Sequence, residues 1–208
     1  MTLDEIAIKH NTDKSSRSHG YTEWYERHFH PFVGSKVTLL EIGIATGASL
    51  RTWREYLGPE AKVIGLDLDR DACLRAEANG FKSYHGSQSD PAMLRLAMAE
   101  QKPSIIVDDG SHHAADQIAS FETLFPLLPD GGFYVIEDLH AAYWGWGGDF
   151  VKYVHQMVDR VNNHGYSGFG NIGRDAKNLA RLDPLALHMV AMHCYPSIVF
   201  VEKRSKRI

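Results

Sequence analysis

Two short strings concentrate the reactive side chains of this sequence, Asp108-Asp109-Gly-Ser-His112 and Glu137-Asp138, each closing an apolar run. Carboxylates gathered without a basic partner repel one another and raise a pKa unless a cation binds. Asp109, Glu137 and Asp138 offer three oxygen ligands and no sulfur. That set suits a hard ion, Mg²⁺ or Ca²⁺, with positions left for substrate oxygens. The plainer alternative is that Asp109 and Asp138 cap the helices that follow them. His112 lies one short turn beyond Asp109, placed to take a proton from a hydroxyl whose pKa a bound metal lowers. His113 and His140 are candidates for the same task.

A second constellation is Glu41-Ile-Gly43-Ile-Ala-Thr-Gly47-Ala-Ser49. Glycines after an apolar run let the backbone turn sharply and approach a ligand. The spacing is G-x-x-x-G, not the G-x-G-x-x-G of dinucleotide sites, which disfavours an NAD-dependent oxidoreductase. Glu41 suits a positively charged ligand group better than a pyrophosphate. Asp67 ends the next apolar run, where an acid accepts hydrogen bonds from ribose hydroxyls. Together they point to a nucleotide-type cofactor; the plain reading is a tight strand–helix turn. In Tyr143-Trp144-Gly-Trp146-Gly-Gly148 the aromatics read equally as a platform for a sugar or polycycle and as core residues at a helix start.

These residues need a scaffold, and the apolar pattern supplies one. Strands are expected at Val37–Gly43, Lys62–Asp67, Phe81–His85, Ser104–Asp109 and Phe133–Asp138, each a short apolar run closed by a turn or an acid. Helices are expected at Tyr21–Phe32, Ser49–Tyr56, Asp71–Asn79, Pro91–Glu100, Ala114–Leu128 and Phe150–Asn162. The alternation implies an α/β fold, a mostly parallel sheet with helices on both faces. Two final strands, Leu187–His193 and Ser197–Glu202, are joined at Tyr195-Pro196. That link is too short for a parallel crossover and implies an antiparallel hairpin, making seven strands. Residues 1–32 read as an N-terminal cap segment and 164–178 as a mobile loop, within a single domain spanning 1–208.

The 208 residues carry 22 Lys and Arg against 26 Asp and Glu, a net charge of −4 that argues against a nucleic-acid binder. Lys203, Arg204, Lys206 and Arg207 form a basic cluster that a solvated terminus explains. Two cysteines make neither a disulfide framework nor a zinc site. The first ten residues lack signal-peptide character, and no apolar stretch approaches the ~18 residues of a membrane helix. The expectation is a cytoplasmic protein with no membrane partner.

The order of elements, the glycine loop, Asp67, the polar string Gly86-Ser-Gln-Ser-Asp90 and the closing hairpin resemble the class I S-adenosylmethionine-dependent methyltransferases. Thr12-Asp-Lys14, His19-Gly-Tyr21, Leu40-Glu-Ile-Gly43, Ser49-Leu-Arg-Thr-Trp53, Asp108-Asp-Gly-Ser-His112, Gly132-Phe-Tyr-Val-Ile-Glu-Asp138 and Tyr143-Trp144 narrow the resemblance. They are similar to the metal-dependent sugar O-methyltransferases of macrolide and related antibiotic pathways, of the mycinamicin VI 2″-O-methyltransferase type. The resemblance implies that Glu41, Gly43 and Ser49 line the methionine end of S-adenosylmethionine, Asp67 its ribose, and Gln88 and Ser89 its adenine, with Asp108 beside them. It implies that Thr12-Asp-Lys14 and Tyr21 fold over the cofactor, that Asp109, Glu137 and Asp138 hold Mg²⁺, and that His112 is the general base. A glycosylated small molecule is the implied substrate, and a homo-oligomer is compatible with the pattern. Against that family the sequence lacks a separate N-terminal domain and has Ile44-Ala-Thr46 where other members carry longer insertions. A hydroxylase-like chemistry on the same fold is the remaining alternative.

Overall fold

The structure, a computed structural model, describes residues 1–145, 148–162 and 183–205. Five parallel strands come first: β1 (Thr38–Ile42), β2 (Lys62–Asp67), β3 (Lys82–His85), β4 (Ile105–Asp108) and β5 (Phe133–Ile136). Two more, β6 (Met189–Tyr195) and β7 (Ile198–Lys203), form the hairpin, and β7 pairs antiparallel with β5. The order across the sheet is β3-β2-β1-β4-β5-β7-β6. Chain direction across the sheet reverses between β1 and β4, so a crevice opens beyond their carboxyl ends, where such sheets bind ligands. The register sets Ile42 opposite both Leu66 and Asp108, and Asp108 opposite Ile136, so four strands finish level at that crevice.

Helices α1 (Leu3–His10), α2 (Thr22–Phe29), α3 (Ala48–Leu57) and α4 (Arg70–Ala78) cover one face; α5 (Pro91–Gln101), α6 (Ala114–Leu124) and α7 (Phe150–Asn162) cover the other. Strand residues alternate between the two layers, as the pleat requires. Leu39, Ile105, Val107 and Val135 pack with Tyr25, Phe29 and Trp53 in the first layer. Leu40, Ile42, Ile106, Tyr134 and Ile136 pack with Phe121 and Leu124 in the second.

Several boundaries differ from the sequence reading. Helix α1 was not anticipated, although Thr2 and Glu5 form a reciprocal capping box at its start. Helices α2 and α6 stop before Pro31 and Pro126, whose missing N–H converts each last turn into a 3₁₀ turn, His30–Phe32 and Phe125–Leu127. The hairpin turns at Pro196-Ser197, so Tyr195 still belongs to β6. Lys203 is not part of a solvated basic tail: it is buried, and its ammonium lies 3.4 Å from Asp130. The loop expected at 164–178 lies outside the described residues, and no described helix is long and apolar enough to cross a membrane.

Gly43 has φ +91°, and a Cβ there would stand 2.0 Å from the Asp109 carbonyl oxygen. Side chains are excluded on both counts. Gly43→Ala is expected to lower stability by roughly 3 kcal/mol or more, read from urea unfolding of the purified variant.

Candidate active site

A cavity of about 540 Å³ opens at the carboxyl ends of β1, β2 and β3. Thr12, Gly43, Ser49, Asp67 and Gln88, all expected around a cofactor, line it. Asp67 closes the glycine turn: its Oδ2 accepts from the Ile44 and Ala45 amides at 2.6 and 3.1 Å, and its Oδ1 from the Asp69 amide at 2.8 Å. The other expected residues lie elsewhere. Ser89 is exposed and pairs its hydroxyl with Ser87, because the chain turns outward there to set Asp90 as the α5 cap; Ser87 lines the cavity instead. Tyr21 is buried, and its hydroxyl donates to Asp138 at 2.6 Å. Glu41 stands behind the wall, accepting from Ser49 Oγ at 2.6 Å.

Asp108 also stands behind the wall, fully buried toward α6. It accepts from Ser120 Oγ at 2.5 Å, Tyr134 Oη at 2.8 Å and Gln88 Nε2 at 3.1 Å. Burial pushes its carboxyl up to about 6 against those donors. The Gln88 carbonyl in turn accepts from the Ser111 amide at 2.6 Å, and a Cβ on Gly110 would stand 2.0 Å from that oxygen. Gln88 therefore ties the loop after β3 to the loop after β4.

Strand parity decides where the remaining acids go. Glu41, Asp109 and Glu137 follow Leu39, Val107 and Val135 by two residues and share their face, so the three carboxylates converge. They are not without a basic partner, as the sequence reading assumed. Lys14, buried at 1% exposure, places its Nζ 2.9 Å from Glu137 Oε2 and 3.6 Å from Glu41 Oε1, and donates to Asp109 Oδ2. Tyr25 Oη donates to the other Glu137 oxygen. Burial raises the Glu137 and Asp109 carboxyls, and it pushes Glu41 up to about 7 although Lys14 opposes it. Burial alone would lower the Lys14 ammonium, but Asp109, Glu137 and Glu41 together hold it well above its usual range. From sequence, Lys14 was expected only to fold over the cofactor with Thr12 and Asp13, and Tyr25 was assigned no role. A lone lysine in a polar stretch carries no local mark of burial, whereas the aromatic richness of α2 hinted at Tyr25.

Asp138 leaves β5 with φ +56°, which turns its carboxylate outward, away from Glu137. Neither Asp138 nor Asp109 caps a helix: α6 is preceded by His113, and the Asp138 side chain makes no capping bond. Among the described residues, Asp109, His112 and Asp138 present ligand atoms all within 4.8 Å of one another. His112 Nε2 lies 3.9 Å from Asp109 Oδ1 and 3.7 Å from Asp138 Oδ2. Glu137 is drawn inward by Lys14 and Tyr25 and is not in that group. His140 bonds Ser197 through Nδ1, and His113 precedes α6. Tyr143 and Trp144 are 76% and 69% exposed, so they are not core residues; Trp144 packs edge-on against His140, 4.4 Å between centroids. Trp146 lies outside the described residues.

The sheet order, the hairpin and the crevice define a class I methyltransferase fold. No protein-family model matches the chain. It is 36% identical over 98% of its length to 8-demethyl-8-alpha-L-rhamnosyl tetracenomycin-C 2′-O-methyltransferase of Streptomyces olivaceus, of which it covers 55%. It is 38% identical over 98% of its length to L-olivosyl-oleandolide 3-O-methyltransferase of Streptomyces antibioticus, of which it covers 54%. The solved structure of MycE methyltransferase from the mycinamycin biosynthetic pathway, in complex with Mg, SAH and mycinamycin VI, superposes with a TM-score of 0.83 at 28% identity, over 99% of this chain and 54% of that one. By sequence and fold the chain is a homologue of the antibiotic-pathway sugar O-methyltransferases, and it spans about half the length of the relatives it matches.

The Glu41 carboxyl, raised to about 7 from 4.5, keeps a proton in the folded chain that the unfolded chain has already released. Stability is therefore lost as pH rises through that window. In chelator, Glu41→Gln is expected to flatten this fall by up to about 3 kcal/mol, measured by urea unfolding at about pH 5 and about pH 8.

Proposed function

We propose that this chain is the methyl-transferring unit of an S-adenosylmethionine-dependent, Mg²⁺-dependent O-methyltransferase acting on a sugar hydroxyl of a glycosylated natural product. One observation carries the reading: Asp109 belongs both to the wall of the cavity and to the Asp109–His112–Asp138 group, so cofactor and metal sites adjoin through one side chain. The names of the homologues, all acting on glycosylated compounds, support the acceptor class.

The residues fit both groups. The cavity has the volume of a small-ligand site, with Asp67 and Ser49 among its polar lining. Thr12, Gly43, Ser49, Asp67 and Gln88 would hold the cofactor, with Glu41, Asp108 and Tyr21 supporting the wall. The oxygen-rich donor set matches a hard divalent ion. Asp109 and Asp138 would hold it, backed by Glu137, whose oxygens engage Lys14 and Tyr25. When bound, the cofactor supplies an electrophilic methyl group on a sulfonium, and the ion supplies charge that favours an ionised hydroxyl. A hard ion leaves the softer imidazole free for acid–base work. His112 faces both carboxylates and takes the hydroxyl proton at Nε2. Asp109 and Asp138, flanking the ring, stabilise the imidazolium that results. Tyr143 and Trp144 give the sugar and its aglycone an aromatic surface beside that base.

S-adenosylhomocysteine at about a hundredfold excess over its Kd is expected to raise the melting temperature by roughly 5–10 °C, with a further rise on adding Mg²⁺. No shift at millimolar ligand would refute the cofactor assignment. His112→Ala is expected to cut kcat by roughly 10²–10⁴ while S-adenosylhomocysteine affinity is kept, read by calorimetry beside turnover. Trp144→Ala is expected to raise acceptor KM several-fold with cofactor KM unchanged, in steady-state assays with a glycosylated polyketide.

A further inference from the structure

Lys14 is the one buried ammonium facing the carboxylate cluster among the described residues, and no step above uses it. It comes from the irregular segment between α1 and α2, not from the sheet. That segment is fixed by its own backbone bonds, Thr22 N to Lys14 O at 3.1 Å and Gly20 N to Ser15 O at 2.9 Å. Three carboxylates from the ends of three neighbouring strands surround Nζ: Glu41 within β1, Asp109 after β4 and Glu137 after β5. An ammonium has three donors and no fixed plane, so it can serve three acceptors arriving from different directions. It takes Oδ2 of Asp109, which leaves Oδ1 facing His112. Glu41 Oε1 is buried with no hydrogen-bond partner, so its compensation comes from the Lys14 charge 3.6 Å away.

We propose that Lys14 is the resident cation of this site, a positioning residue that holds Glu41, Asp109 and Glu137 together in the ion-free chain and turns the second Asp109 oxygen toward His112 and Asp138. The inference rests on the reading of Asp109 and Asp138 as metal ligands. Three acids face one ammonium, so the cluster holds more acidic groups than that single cation can compensate. With the ammonium removed, the cluster must take its compensation from solution. Breaking a buried ion pair by deleting one partner is far more costly than deleting both.

The test is thermal unfolding of wild type, Lys14→Met and the double variant Lys14→Met/Glu137→Gln, in chelator and with Mn²⁺ alone. Lys14→Met is expected to lose roughly 10 °C in chelator. Mn²⁺ should raise its melting temperature by at least twice the wild-type increment, since a dication restores charge and not packing. The double variant should recover at least half of the loss in chelator. If Lys14→Met fails to fold without metal, refolding from urea only when Mn²⁺ is present is the corresponding supporting result. A Mn²⁺ increment in Lys14→Met no larger than in wild type, or a double variant no more stable than the single one, overturns the role of Lys14 and leaves the metal reading standing. If Mn²⁺ stabilises none of the three proteins, the metal reading falls and this inference falls with it.

Discussion

Charge compensation at the carboxyl edge of the sheet is the constraint around which the site is arranged. A parallel sheet sends the same end of every strand to the same edge, so acids closing β1, β4 and β5 become neighbours there. The pleat adds a second condition, since residues two apart share a face. Glu41, Asp109 and Glu137 satisfy both, and they meet under the α1–α4 layer, with Glu41 and Glu137 buried and Asp109 reaching the cavity wall. Such a group persists only with cations or protons among it. Lys14 supplies one from the segment that roofs the cavity, which makes that segment part of the electrostatics of the strand ends.

The same edge divides into a braced half and an open half. On the cofactor side, Asp67 clamps the glycine turn, and the Gln88–Asp108 pair, anchored by Ser120 and Tyr134, joins two loops across the crevice. Gly43 and Gly110 are small because backbone or amide atoms occupy the space of their side chains. On the other side, Asp138 leads into a 3₁₀ turn, Leu139–Trp144, which carries His140, Tyr143 and Trp144; Asp138 accepts from Tyr21, and His140 bonds Ser197 and stacks on His19. Buried hydrogen bonding is concentrated where a constant cofactor would bind, and exposed aromatic surface where acceptors would differ.

Much of this was legible before any coordinates. The five parallel strands announce themselves as short runs such as Ile105–Asp108, rich in β-branched residues and closed by acids or glycine. The short Tyr195–Ser197 link dictated an antiparallel pair, though not that β7 would lie between β5 and β6. Helix α1 could have been read from Thr2-Leu-Asp-Glu5, a capping box in plain view. The parity of Glu41, Asp109 and Glu137 was also available, because each continues an alternation begun by apolar residues. Two features were not. The burial of Lys14 depends on contacts 95 and 123 residues away, which no local pattern encodes. The outward turn of Asp138 depends on a left-handed backbone at a non-glycine residue, which its identity alone does not announce.

The span of the Lys14–Glu137 contact has a consequence for how the molecule comes into being. A chain synthesised from its amino end makes Lys14 early and Glu137 more than a hundred residues later. Ser197, which anchors His140, is made later still. Contacts so distant along the chain form late in folding, because loop closure must precede them. The half of the sheet built from β1, β2 and β3 can pack α3 and α4 first. Lys14 must then wait for β4 and β5 before its charge is matched. A nascent chain that has not yet reached Glu137 therefore has no assembled carboxylate centre.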